Sequence, residues 1–322
     1  MRKILPELLM ATSMNEGRGL RNVALPRMAF SCKQGRLMER RAFPMPRLLI
    51  LILAVAGLAP STLSALEPSS LPLPAAASQE PESRAFDFQD RAFILCWHTF
   101  LGKESIPTDF TTAEMAAQID ALASLGYRFI TMEDLLFGRI KGPLNLVVTI
   151  DDGHRTIPSA YEKVLIPRGI VPTIFIYPSV IGTTSFAMND AAVRELRDGG
   201  SLVGAHGYHH LFVNASLYEH DRAAFEDEIF KAKAKVEAIT GLPAYVYAYP
   251  YGAYSDITLA EVARAGFRFG FAVRRGFVYA DSRLNSPYEL PRTVVRRDQW
   301  EDILAFLERN ARAAKAAAES QR

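Results

Sequence analysis

The chain has 322 residues, 49% hydrophobic and 10% aromatic, enough to bury the core of one large domain or two small ones. Its formal net charge is +2, but residues 1–47 hold ten Lys or Arg against three Glu, so that segment carries +7 and the remainder about −5, which argues against nucleic acid as the partner of the folded part. Of the two cysteines, Cys32 lies in a leader and Cys96 in a strand, and no intramolecular disulfide is expected.

Leu48 to Ala59 is an uncharged apolar run behind Arg40, Arg41 and Arg47, followed by small residues at Ser64 and Ala65. Being shorter than the ~20 residues that span a bilayer, it reads as a secretory signal. Residues 1–65 are therefore expected to be a basic leader and signal, with Met38 or Met45 as alternative starts. The expected location is periplasmic or extracellular, with no membrane span after cleavage; an uncleaved signal would instead leave a membrane anchor. Residues 66–85, rich in Pro, Ser and Ala, read as a flexible linker. The folded domain is expected over residues 86–322.

A strand from Arg91 ends in the imidazole of His98. Thr112 opens a helix with Glu114 in its first turn and Met115, Ile119, Leu122 and Leu125 on one face, stopped at Gly126. A strand near Tyr127–Thr131 and a helical turn at Met132–Phe137 follow. Next come a strand at Leu144–Ile150, a helix at Ser159–Arg168, a strand at Thr173–Tyr177, a helix at Asp190–Asp198 and a strand at Leu202–Ala205. The longest helix is expected at His220–Thr240, with Phe225, Ile229, Ala232, Val236 and Ile239 at helical spacing and Gly241 as its stop. A strand at Tyr245–Tyr249, a helix at Ser255–Ala265, strands at Phe269–Val273 and Leu290–Val295 and a helix from Asp298 to about Ala318 complete the pattern. This alternation predicts an α/β fold, a distorted or incomplete (β/α) barrel of about seven parallel strands with its reactive groups at the strands' C-terminal ends. A doubly wound open sheet is the alternative, but no Gly-rich phosphate turn follows the first strand.

Val147 to Gly153, Val-Val-Thr-Ile-Asp-Asp-Gly, reads as a buried strand ending in two adjacent carboxylates and a glycine. Such a pair also suits a plain turn. Chemistry is indicated because other strand ends, at His98, His206–His210 and Pro250–Gly252, carry reactive or turn-forming groups as well. Gly204-Ala-His-Gly-Tyr-His-His210 holds three of the six histidines. On a helical turn His206 and His210 would share a face and hold one metal ion, with His209 competing for either place. Adding one carboxylate makes a two-His, one-Asp set that leaves positions open for water and substrate. One backbone aims adjacent aspartates differently, so one can bind metal while the other serves as base.

Thr149-Ile-Asp-Asp-Gly153, His206-Gly-Tyr-His-His210 and Tyr249-Pro-Tyr-Gly252 resemble, in order and spacing, the three leading motifs of the polysaccharide deacetylases, the NodB-homology group of carbohydrate esterases (family 4). The resemblance covers roughly Ala92 to Val295. Trp97-His98-Thr-Phe100, Gly126-Tyr-Arg-Phe-Ile-Thr131 and Ala248-Tyr-Pro-Tyr-Gly252 look most like the branch with the exported poly-N-acetylglucosamine deacetylases. It implies that Asp152, His206 and His210 bind a divalent cation, usually zinc, that Asp151 is the general base, and that the backbone N–H of Tyr251 helps hold the oxyanion. No histidine follows His220, so the late motif that supplies most of the family with a general acid is absent, and the resemblance nominates His98. Ala248 stands where the family often has an arginine, and Arg292 is the candidate replacement. The usual fourth motif is not recognisable, and Tyr177, Tyr208, Tyr247 and Tyr249 are open to two readings, sugar-stacking or core. The implied function is a metal-dependent hydrolase removing N-acetyl groups from an amino-sugar polysaccharide, an N-acetylglucosamine-containing exopolysaccharide or cell-wall glycan. A hydrolase of C–N bonds in small amides and a non-catalytic carbohydrate-binding protein are the alternatives.

Overall fold

The computed structural model describes residues 90–281, 283 and 285–320; the leader, signal and linker expected over residues 1–85 lie outside the described residues. Strand β1 (Arg91–Trp97) is buried along almost its whole length, and β3 (Asn145–Ile150) along all of it, as a strand covered on both faces requires. They form a ring with β4 (Thr173–Ile176), β5 (Leu202–Ala205), β6 (Val246–Ala248), β7 (Phe269–Val273) and β9 (Leu290–Val294). Every pairing in it is parallel, and the ring closes because β1 bonds both β3 and β9. The expected barrel is thus complete, with seven parallel strands.

Two short strands stay outside the ring. The parallel β2 (Arg128–Phe129) pairs with the first residues of β3. β8 (Phe277–Tyr279), not expected from the sequence, runs antiparallel to Arg91–Phe93 of β1. Pairing of β1 with β9 starts only at Leu95, so β8 meets backbone groups of β1 that would otherwise lack partners. Three residues are too few to leave a periodic signal.

Helix α1 (Thr112–Ser124) begins with the capping box Thr111/Glu114. It is followed by α2 (Met132–Leu136), and α4 (Asp190–Asp198) has the expected bounds. The segment expected as one helix over Ser159–Arg168 is α3 (Ile157–Ala160) continued by a π turn at Tyr161–Leu165 and a 3₁₀ turn at Ile166–Arg168. The helix expected over His220–Thr240 is also divided. α5 (Ala215–His220) stops, Asp221 caps α6 (Arg222–Glu226), and a π turn at Asp227–Lys231 leads into α7 (Ala232–Thr240), which ends at Gly241. After α8 (Asp256–Arg264), the longest helix is the C-terminal α9 (Trp300–Ser320, 21 residues).

The two-residue period of the strands sorts their side chains. Leu95, Trp97, Val148, Ile150, Ile174, Ile176, Tyr247 and Tyr249 belong to the main core with the helices. Ala92, Ile94, Val147, Phe175, Val246, Ala248, Phe271 and Leu290 belong to the second cluster, which fills the barrel. Cys96, Thr149, Gly204 and Arg292 share that inner parity, and continuing it beyond the strand ends brings His98, Asp151 and His206 to the barrel mouth. Gly204 has no room for a side chain: a Cβ there would lie 2.6 Å from both Phe175 Cε1 and Val246 Cγ2. Gly204→Val is expected to cost about 1–3 kcal/mol by overpacking. Urea denaturation checks this, and an unchanged midpoint would show that the inner layer yields.

Candidate active site

At the end of β3 the Asp151 N–H donates to Trp97 O at 3.0 Å, prolonging the strand and holding Asp151 in the mouth, 2% exposed. Asp152 (φ 71°) and Gly153 (φ 73°) then turn the chain through the left-handed region. Aspartate tolerates that conformation better than most residues. Both carboxylates face the same imidazole: His206 Nε2 lies 3.5 Å from Asp151 Oδ2 and 3.7 Å from Asp152 Oδ1.

His206 follows β5, its N–H donating to Ile176 O at 2.8 Å. Its Nδ1 lies 2.8 Å from Ala248 O, a group that can only accept. That nitrogen therefore carries the proton, and Nε2 presents a lone pair. Beyond it the chain is a loop and not the expected helical turn, with Gly207 (φ 71°) and His210 (φ 66°) in left-handed conformations. Loop geometry, not a shared helical face, brings His210 Nε2 to 3.2 Å from His206 Nε2 and 3.5 Å from Asp152 Oδ1. His209 is exposed, its ring edge-on to Tyr208, and is no member of this group. The loop is held by the buried Glu228 carboxylate, which accepts the backbone N–H groups of Tyr208, His209 and Leu211 at 3.1, 2.6 and 3.1 Å. A Cβ at Gly207 would collide with that carboxylate.

Asp152, His206 and His210 fit a metal ion. The three ligand atoms stand 3.2, 3.5 and 3.7 Å apart, against roughly 3.4 Å between ligands held tetrahedrally at about 2.1 Å. Asp152 Oδ1 is buried and has no hydrogen-bond partner among the described residues. Burial, reinforced by His206, lowers His210 to about 4, so its ring is neutral at pH 7. Converging acceptors without a donor between them are what a cation satisfies.

Asp151 is engaged elsewhere. Arg292, completely buried on β9, grips it with Nη1 at 2.8 Å from Oδ1 and Nη2 at 2.9 Å from Oδ2, and its guanidinium lies 4.8 Å above the Phe175 ring. Burial by itself would raise the Asp151 carboxyl, but Arg292 and His206 hold it below the usual carboxylate range. The arginine expected as replacement for the one missing at Ala248 is thus in contact with Asp151. Cys96, His98 and Asp151 offer polar atoms within 4.8 Å of one another. Burial and Asp151 push the Cys96 thiol up, leaving it a neutral packing group. His98 Nδ1 is buried without a hydrogen-bond partner among the described residues. The loop after His98 is fixed by the buried Asp109, which accepts from Thr99 Oγ1 (2.5 Å) and the N–H groups of Leu101 (2.8 Å) and Lys103 (2.5 Å).

Tyr251 lies in the 3₁₀ turn Pro250–Gly252 at φ 58°. Its ring is 57% exposed, stacks on Phe212 (4.1 Å, 16°) and meets the His210 ring edge-on at 4.5 Å. Tyr247 and Tyr249 are fully buried, their hydroxyls donating to Glu228 O and Tyr288 O, which removes them as sugar-stacking residues. Tyr177 is half-buried with its ring 5.1 Å from that of His210, and Tyr208 lies beneath Lys231. The exposed aromatic surface beside the triad is that of Phe212 and Tyr251.

Residues 141–270 match the family model described as polysaccharide deacetylase. Over this segment the chain is similar to the polysaccharide deacetylases. The match and the relatives that follow support a hydrolase acting on amide bonds of polysaccharides. The chain is 23% identical over 204 residues to the poly-beta-1,6-N-acetyl-D-glucosamine N-deacetylase of Staphylococcus aureus, covering 60% of this chain and 69% of that protein. Among solved structures, IcaB from Ammonifex degensii is 25% identical with a TM-score of 0.59, over 68% of this chain and 97% of that one. A polysaccharide deacetylase from Bacillus cereus, 21% identical with a TM-score of 0.56 over 68% and 70% of the two chains, shares the fold.

Two further carboxylates, Glu228 and Asp109, support the loops of this site. Glu228 had a signal in the sequence: it falls three residues after Phe225 and four before Ala232, a carboxylate on the helix's apolar side. Asp109, in a loop without periodicity, had none. Glu228→Gln would set an amide NH₂ among three backbone donors and loosen the loop. A divalent-ion titration is expected to show affinity about 10–100-fold weaker. Unchanged affinity would mean that the loop needs no such anchor.

Proposed function

We propose that the protein is an exported, metal-dependent N-deacetylase of an N-acetylglucosamine-containing polysaccharide. The observation that carries this reading is the division of labour between adjacent carboxylates, Asp152 beside His206 and His210 and Asp151 beside Arg292 and His98. The family-model match over residues 141–270 and the S. aureus relative's named activity support the substrate class. Export rests on the basic leader and apolar run at Leu48–Ala59.

Asp152, His206 and His210 would hold the cation, zinc by the preference of such nitrogen and oxygen ligands. When bound, it supplies the Lewis acidity that polarises the acetamide carbonyl and acidifies water. Asp151, kept ionised by Arg292, takes the proton of the attacking water. The backbone N–H of Tyr251 donates to the oxygen on which charge develops. His98, protonated, delivers the proton that lets the sugar amine leave. Phe212 and Tyr251 offer the sugar an apolar face to lie on.

Acetate release from N-acetylglucosamine oligomers and from peptidoglycan tests the reading. Asp151→Asn is expected to retain metal and lose turnover by about 10²–10⁴-fold, as is His98→Ala, whereas Asp152→Ala loses both metal and turnover. Metal-loaded wild type that frees acetate from no glycan would sink the deacetylase assignment. Arg292→Met removes the group that keeps the Asp151 pKa low and leaves burial, which raises it. Its stability is expected to fall by about 3–5 kcal/mol, and the acid limb of kcat/KM to move to higher pH. An unmoved limb would take Asp151 out of the base role.

A further inference from the structure

β7 and β9 run parallel to β3, β5 and β6, so their C-terminal ends lie on the same rim as Asp151, His206 and Tyr251. A cavity of about 410 Å³ opens there, and four of its eight lining residues are arginines: Arg274, Arg275, Arg292 and Arg296. None of the eight is acidic. Such a lining runs against the charge of the chain after residue 47, which sums to about −5.

Two of these arginines are already matched. Arg292 is bound to Asp151, and Arg296 pairs with Asp298 at 3.0 and 2.9 Å. Arg274 and Arg275 are exposed, and among the described residues neither is held in a salt bridge. One Nη2 of Arg274 donates to Glu289 O at 2.8 Å, and the Arg275 guanidinium lies 5.6 Å from the Phe306 ring centre. These contacts hold the two side chains in place without neutralising them. A second feature is independent of charge: Thr293, 7% exposed, lines the same cavity, and its Oγ1 is buried with no hydrogen-bond partner among the described residues. Two unneutralised guanidinium groups and an unused hydroxyl donor form the recognition set of an oxyanion. The cavity also adjoins the reaction centre. Its lining residue Val273 sits so close to the Tyr251 turn that a Cβ on Gly252 would come within 2.5 Å of Val273 Cβ.

We propose that this cavity receives an acidic group, a carboxylate or phosphate, carried by the glycan on a sugar other than the one being deacetylated, so that the preferred substrate is an anionic polysaccharide. The proposal rests on the deacetylase reading above. A polymer lying over the Tyr251 turn meets the cavity edge at Val273, which favours a substituent of the substrate over a free anion.

The test compares an N-acetylglucosamine hexamer with its O-carboxymethyl ether. Wild-type kcat/KM is expected to be about tenfold higher for the acidic hexamer through a lower KM, the size of gain that two exposed ion pairs supply. The gain shrinks at high salt. Arg274→Glu/Arg275→Glu is expected to abolish it while leaving turnover of the neutral hexamer unchanged. Calorimetric binding of both hexamers, inorganic phosphate and phosphatidylglycerol vesicles is measured in parallel. A double variant that keeps the acidic-to-neutral ratio overturns the proposal. So does one that loses only phosphate or vesicle binding, since the site would then serve a free anion or a membrane. If the acidic hexamer binds through Arg274 and Arg275 but neither hexamer releases acetate, the cavity assignment stands and the deacetylase reading falls.

Discussion

A guanidinium completely enclosed in a barrel of apolar side chains is tolerable only with its counter-charge in contact, because an unpaired ion there costs several kcal/mol. Arg292 and Asp151 meet that condition for each other. The pair spans the ring, since β1 stands between β3 and β9, and β1 presents Cys96, whose Sγ is 3.8 Å from Nη1. With both Asp151 oxygens gripped, the neighbouring carboxylate is the one left for the histidines. Much of the site's organisation follows from this single contact: a carboxylate held ionised at Asp151, a separate group of Asp152, His206 and His210 that could hold a cation, and His98 at the exit of the strand that lines the pair.

The second constraint is backbone strain. Among the described residues, the non-glycine positions with positive φ are Asp152, His210 and Tyr251, which follow β3, β5 and β6 at the site. A residue held there costs of order 1–3 kcal/mol and persists only where its surroundings over-determine it. For the histidine loop those surroundings are three hydrogen bonds to buried Glu228 and the Gly207 backbone packed against it. Polar groups fixed before substrate arrives need not reorganise when charge develops. The strained positions thus gather at the barrel mouth, above the apolar side chains of the second cluster.

Function also depends on where aromatic residues end up. Four tyrosines were open to a sugar-contact reading, and the outward parity of β6 sends Tyr247 and Tyr249 into the helix-facing core. The exposed pair is instead Phe212, from the loop after the histidines, and Tyr251, from the strained turn. Both belong to irregular segments whose side-chain directions follow no period.

Much of the protein was legible in its sequence because the signals were local. Period-two burial and turn residues located the seven barrel strands, and the residues just past their ends, His98, Asp151, Asp152, His206 and Pro250, could be read off as the contents of one rim. Local signals did not contain β8, whose reason to exist is an unpaired stretch of a strand almost two hundred residues earlier, nor the π turn that carries Glu228. Nor did they assign the two aspartates. The resemblance gave them separate roles, and the physical difference between them is Arg292 against Asp151, a contact between residues 141 apart. Strand alternation is a property of neighbouring residues and survives in the sequence, whereas pairing a charge with its counter-charge is a property of ring closure, and only the folded barrel brings β9 beside β1 to make it.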